Sequence, residues 1–294
     1  MTQQDKDASA VLLTGTTRTG TRAGVKHAAT RIREILGLET DLVGVLLQGP
    51  TDSPTPFANW ERVKSHRYCQ ALMRARHGAK VVLEAEEISC PAAAAVFGVA
   101  PLPEGLACGR GLKGFGIVAE DATGAAMFAG MTRLPAGRVA RIVLAPAEDL
   151  PAEPDVVVVE GTVESLMWIV LADLNLSGGQ RCAGETAVLQ ATCVDATLLP
   201  YVQGRLNFSL GCYGCREATD MGPGEAVLGF PGKMLSDIGR MIEYLAERAI
   251  PKSRSKSALG RLLERGSQAD HATGEGGQGI ESEEGPFETG RIGN

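Results

Sequence analysis

The residues with the clearest chemical capacity are thiols. In "SLGCYGCRE" (209–217), Cys212 and Cys215 stand three apart, with a glycine directly before each and Arg216 directly after Cys215. The chain holds 7 cysteines in all. Thiolates are nucleophiles and soft metal ligands, and neutral thiols are small core residues, so three roles compete: ligation, thiol chemistry and plain burial. One CxxC does not decide among them. The strong zinc signature needs a second pair at short spacing, and none is present. A thioredoxin-type pair should open a long helix after the first strand of a βαβ unit, which is not the context here.

The spacing of the other cysteines is more informative. Cys69 lies in a helical pattern, a strand pattern follows, and Cys90 closes it just before "PAAAAV", where Pro91 suits a first helical turn. Cys193 lies in a second helical pattern (184–199), the strand "RLNFSLG" follows, and Cys212 closes it. The pairs span 21 and 19 residues. Read as one unit used twice about a pseudo-twofold axis, they bring four thiols to one place, and four thiolates suit an iron–sulfur cluster or zinc. A single cysteine of this kind is more often packing. The repeated arrangement is what favours ligation, because thiols at helix starts meet backbone amides and the positive end of the helix dipole. Cys108 and Cys182, in loop-like surroundings, read as bystanders, and Cys215 as a spare or alternate ligand.

These thiols need an α/β or α+β frame. Residues 23–38 form an amphipathic helix pattern, followed by the apolar run "LVGVLL". A helix is expected over 63–78, a strand over 80–88, a Gly-rich loop over 104–116 and a helix from "EDATGAAMFAGM". "RVARIVLAP" and "PDVVVVE" read as buried strands. "VESLMWIVLADL" (163–174) is apolar nearly all round and reads as a buried helix, packed in the monomer or in a homodimer. "EAVLGFP" and a closing helix (233–249) complete a mixed sheet with flanking helices. The expected organisation is an extension over 1–22, one domain with two similar halves over 23–250, and a tail over 251–294, with one short helix near Ala258–Arg265. The tail's composition buries too little apolar surface to order.

Composition narrows the function. Hydrophobic residues make up 44% of 294, enough for a sizeable core, and net charge is −6 without a basic, aromatic-laced stripe, so nucleic acid is not an expected partner. No leader pattern or long apolar run is visible, which predicts a cytoplasmic protein without a membrane partner. An odd number of cysteines in a reducing compartment argues against a disulfide framework.

The order "HRYCQALMRARHG", "EISCPAAAAVFG", "EPDVVVVEGTVESLMWIVLA", "LQATCVDAT", "LNFSLGCYGCRE", "GFPGKMLSDI" resembles the family called domain of unknown function 169, over about residues 42–249. The resemblance implies recurrent cysteines at Cys69, Cys90, Cys193 and Cys212, the "AR-G" after the first and the arginine after the last. It brings no agreed reaction. The Thr/Arg-rich N-terminus departs from it.

The remaining polar candidates are few. Arg76 and Arg216, and less so Arg74, are candidates to clamp an anion in bidentate fashion, and Tyr213 to donate a proton. Of the four histidines only His66, three before Cys69, is placed to approach the thiols. "GRGLKGFG" lacks the GK[ST] ending of a phosphate loop, and no nucleophile elbow is visible. The expected function is an iron–sulfur protein whose cluster sits on Cys69, Cys90, Cys193 and Cys212, with a 4Fe–4S form favoured and zinc as the alternative. An iron left open by three-Cys ligation would act as a Lewis acid in a non-redox elimination, hydration or sulfur-removal step on a small anionic metabolite. The alternatives are a non-catalytic binding or accessory protein with structural metal or buried thiols, and metal-free thiol chemistry at Cys212 or Cys215.

Overall fold

A computed structural model describes residues 22–256 and 260–261. Residues through Ala246 belong to one compact unit, and those from Glu247 onward to a second, whose described element is a short helix, Ala249–Arg254. All but Arg22 of the extension expected over 1–22, and all but residues 251–256 and 260–261 of the tail, including most of its expected helix near 258–265, lie outside the described residues.

The first unit is built on β-branched strands buried on both faces, as their near-continuous Val, Ile and Leu runs require. Its elements are α1 (Arg22–Leu36), β1 (Val43–Gln48), β2 (Glu61–Val63), α2 (Tyr68–Arg76), β3 (Val81–Glu84), α3 (Pro91–Val96), α4 (Glu104–Ala107), α5 (Arg110–Gly114), α6 (Asp121–Ala129), β4 (Arg141–Pro146), β5 (Val156–Thr162), α7 (Val163–Leu176), a π-helical segment (Ala191–Leu198) running into α8 (Leu199–Gln203), β6 (Asn207–Ser209), α9 (Tyr213–Ala218), β7 (Glu225–Pro231) and α10 (Leu235–Ala246). The seven strands form one sheet in the order β2-β3-β4-β1-β5-β7-β6. β2 and β3 pair parallel and every other pairing is antiparallel, so the fold is α/β with a mixed sheet.

Outward from the central β1·β5 pair, the order is β4 then β3 on one side and β7 then β6 on the other. β3 and β6 are the strands that precede the helix starts carrying Cys90 and Cys212. This is a correspondence of element order and does not by itself make the halves a repeat.

Several local expectations change. The helix expected from residue 63 begins only at Tyr68, because Glu61–Val63 pairs with Val81–Leu83 as an edge strand. The Gly-rich 104–116 stretch folds into α4 and α5. The helix expected over 184–199 starts at Ala191, preceded by Val188 and Gln190 at left-handed φ of 52° and 55°. α7 buries Leu166, Trp168, Ile169 and Ala172 but leaves Val163, Met167 and Leu176 exposed, so its apolar surface is covered on one face only. Among the described residues no helix is long and apolar enough to cross a membrane.

The π-helical segment is pressed onto β7. A Cβ on Gly229 would lie 1.7 Å from the Ala196 carbonyl oxygen, so only glycine permits that approach. Thr197, also in the segment, hydrogen-bonds the buried Tyr68 hydroxyl of α2 at 2.7 Å. These contacts set the segment's position against the sheet on one side and α2 on the other.

Candidate functional site

The two cysteine units meet. Cys69 is the second residue of α2, Cys90 the residue before α3, Cys193 the third residue of the π-helical segment and Cys212 the residue before α9. All four line one cavity of about 320 Å³, together with Cys215 and an apolar wall that includes Leu106, Leu112, Ile117 and Phe128. Cys90 is partly exposed, whereas the other four thiols of the group are buried.

Their electrostatics are coupled. Burial pushes the Cys69 thiol up to about 12, and nearby Cys212 and Cys90 push in the same direction. Burial raises Cys193 well above the ordinary thiol range, with Cys90, Cys212 and Cys69 adding to it. Cys212 goes the other way, down to about 6: hydrogen bonding from the Cys215 side chain, helped by the backbone amides of Ala191, Cys215 and Gln190, together outweighs desolvation. These donors favour the thiolate form of Cys212, held by amides as helix starts and nests hold anions. The left-handed residue Gln190 is part of that cradle, and such strain concentrates at functional sites.

Within the CxxC the chain folds back on itself. The Cys212 amide donates to the Cys215 sulfur at 3.0 Å and the Cys215 amide to the Cys212 sulfur at 3.3 Å. Cys215 is almost wholly buried, its thiol 3.2 Å from the Cys212 carbonyl oxygen and 3.8 Å from the Met221 sulfur. Hydrogen bonding to Cys212 and burial hold it protonated. The helix it opens has six residues, far from the long helix of a thioredoxin-type site.

The predicted arginines do not reach the cavity. Arg76 is 4% exposed and is engaged by Glu160 at 2.9 Å, Asp220 at 2.9 Å and Glu225 at 3.5 Å. Arg216 spends its guanidinium on backbone, donating to the carbonyls of Gly222, Leu210 and Glu225 at 2.7, 2.5 and 2.8 Å. Arg76 is engaged by carboxylates and Arg216 by backbone carbonyls, so neither lends its fork to the cavity. Arg74 pairs with Glu61 at the surface. His66 lies before the helix rather than on it, its ring 2.7 Å from the Lys64 carbonyl. Tyr213 does line the cavity and is 58% exposed. Cys108 and Cys182 line neither this cavity nor the second one described below.

Sequence reading missed Arg67, Gln190 and Phe115. Arg67 is the cation on the cavity wall, bonded to Glu217 at 2.7 Å and to the Gly214 carbonyl at 3.3 Å, so it ties the start of α2 to α9. Its place two residues before Cys69, at the N-cap of α2, was a usable signal. Gln190 and Phe115 carried none, since only the tertiary fold brings their loops to the thiols.

Among the described residues, no group of three or more His, Cys, Asp or Glu side chains is gathered closely enough to hold a metal ion as placed.

Comparison with known proteins agrees with the pattern of residues. A protein of Methanocaldococcus jannaschii, known as uncharacterized protein MJ0308, is 25% identical over 226 residues, which cover 76% of this chain and 95% of that protein. No solved structure matches. The profile of the DUF169 family, described as uncharacterised ArCR, matches residues 31–240, and that span, holding every strand and all of the thiol cavity, makes the chain a member of that family.

Proposed function

We propose that the protein is a cytoplasmic iron–sulfur protein in which Cys69, Cys90, Cys193 and Cys212 hold the cluster, and that the cavity beside them takes a small substrate. The carrying observation is that two cysteine pairs, more than a hundred residues apart in the chain, line one largely apolar cavity. A single zinc ion with bonds of about 2.3 Å needs its thiolates within about 4 Å of one another. A cluster of several irons spreads its ligands farther and suits thiols ranged around a cavity. When bound, such a cluster supplies electron transfer or, at an iron with an open position, Lewis acidity.

The chain's own residues have separable roles in this reading. Leu106, Leu112, Ile117 and Phe128 keep water from the thiols. The Gln190 and Ala191 amides stabilise negative charge on the Cys212 sulfur. Cys69 and Cys193, both held protonated, release protons on ligation, so loading is favoured as pH rises. Arg67, not Arg76 or Arg216, meets an anionic group of the substrate, and Tyr213 places a hydroxyl at the same wall.

The test is iron, zinc and sulfide analysis with an absorption spectrum on protein purified without oxygen. The expected result is a broad band near 400 nm with matched iron and sulfide. Cys193→Ser should lose it and Cys182→Ser should keep it; equal retention in both would remove the four-thiol site. A second reading rests on the low pKa of Cys212: with no metal, Cys212 is a nucleophile and Cys215 its partner. Colourless protein that resists reconstitution and is alkylated at Cys212 near pH 6.5 would favour it. Colourless protein with slow alkylation would leave a binding or accessory role.

A further inference from the structure

A second cavity, of about 440 Å³, lies on the other side of the π-helical segment. Leu189 and Gln190 line both cavities. Along the segment the side chains divide: Thr192 and Cys193 line the thiol cavity, Val194 and Asp195 the second one. π-helical turns recur at functional sites, because the extra residue per turn re-aims neighbouring side chains.

The second cavity has a distinct chemistry. Met127, Met131, Val194 and Leu199 give it an apolar body, while Thr132, Thr186 and Gln190 bring hydrogen-bonding groups. Asp195, 3% exposed, is its buried charge. Thr186 donates to the carboxylate at 2.8 Å and is itself 2.8 Å from the Ser209 hydroxyl. Asp195 makes no ion pair with a described Arg, Lys or His, whereas Glu185 at the rim is paired with Arg205 at 3.0 Å. A buried carboxylate without a cation is costly unless a ligand supplies one. The Thr186 hydroxyl, donating to the carboxylate, keeps lone pairs that can accept from a group with several N–H donors.

We propose that the second cavity binds the ammonium group of a small organic substrate, with Asp195 as its counter-ion and Thr186 orienting the carboxylate. The substrate's body then extends past Gln190, and its reacting end lies among the thiols. That last clause rests on the function proposed above; the ammonium subsite does not. With Arg67 on the far wall, the arrangement fits a zwitterion, cationic at one end and anionic at the other.

The experiment is calorimetric titration of the full chain, purified without oxygen, with butylammonium, butanol and butyrate. Saturable binding of butylammonium is expected, at least tenfold tighter than butanol, with butyrate weakest. Asp195→Asn, which keeps the shape of the side chain, should weaken butylammonium binding at least tenfold and leave butanol unchanged. Equal binding of amine and alcohol, or an Asp195→Asn protein that binds the amine as before, would overturn the subsite. If Asp195→Asn does not fold, Thr186→Val should weaken the amine alone, and saturating butylammonium should raise the melting temperature of the unaltered protein where butanol does not; failure of both would also overturn it. Repeating the titration on Cys69→Ser separates the two proposals: retained amine binding without iron supports the subsite independently of the cluster, and a subsite lost only with Asp195 stands whether or not iron is found.

Discussion

At the scale of single residues, the thiol cavity shows how neighbours divide identical side chains into different chemical species. Cys212 and Cys215 are three apart, yet amide donors and the Cys215 thiol hold Cys212 near 6 while Cys215 stays protonated. Two arginines that looked like ligand clamps are instead engaged by the protein's own carboxylates and carbonyls. Arg216 tests this directly. Its three carbonyl bonds brace the turn from Leu210 to Glu225, and the lysine ammonium cannot reproduce that planar fork. Arg216→Lys should cost about 2–4 kcal/mol in a urea titration. A substrate-binding arginine would instead leave stability unchanged.

At the scale of elements, the π-helical segment is the part on which both cavities depend. It is placed by the Gly229 contact, by the Tyr68 to Thr197 hydrogen bond and by Asn207, whose amide donates to the Asp195 carbonyl at 2.8 Å. Gly229→Ala forces a methyl into the Ala196 carbonyl. The expected cost is about 3 kcal/mol or more, read as a shift of the denaturation midpoint. An alanine variant of unaltered midpoint would mean that β7 and the segment are not held in this contact. Periodicity marked an apolar helix here and could not mark its start, because Val188 and Gln190 adopt left-handed backbone for tertiary reasons.

At the scale of the molecule, Arg76 of α2 joins Glu160 of β5, Glu225 of β7 and Asp220 beyond α9, so one buried cation spans elements far apart in the chain. Three carboxylates share it. Burial, with Glu225 and Asp220 adding, raises Glu160 to about 7 despite the Arg76 charge. The folded state thus holds a proton that the unfolded chain releases from about pH 4.5 upward. Stability contributed by that proton is complete at low pH and is lost as pH rises toward 7. Glu160→Gln should flatten this part of the profile, so the variant gains on the unaltered protein between pH 5 and 7 in melting temperature. An identical pH profile in both would show Glu160 ionised throughout. Arg76→Ala, which strands three carboxylates, should cost about 3–5 kcal/mol.

What the sequence determined by itself is what local pattern can carry. Helical period in α1 and α10, β-branched runs in β4 and β5, Pro91 after Cys90, and the order of the four thiols were all legible, because each follows from short-range sterics and the burial of one face. The same order picked out four of the five cysteines that line one cavity. The tertiary structure decided which polar groups line the thiol cavity. Arg76 and Arg216 differ from Arg67 only in where the fold places them, and the partners of these three guanidiniums lie up to 150 residues away in the chain. Long-range packing also gathered Gln190 and Phe115 beside the thiols, and no pattern shorter than the fold records those contacts.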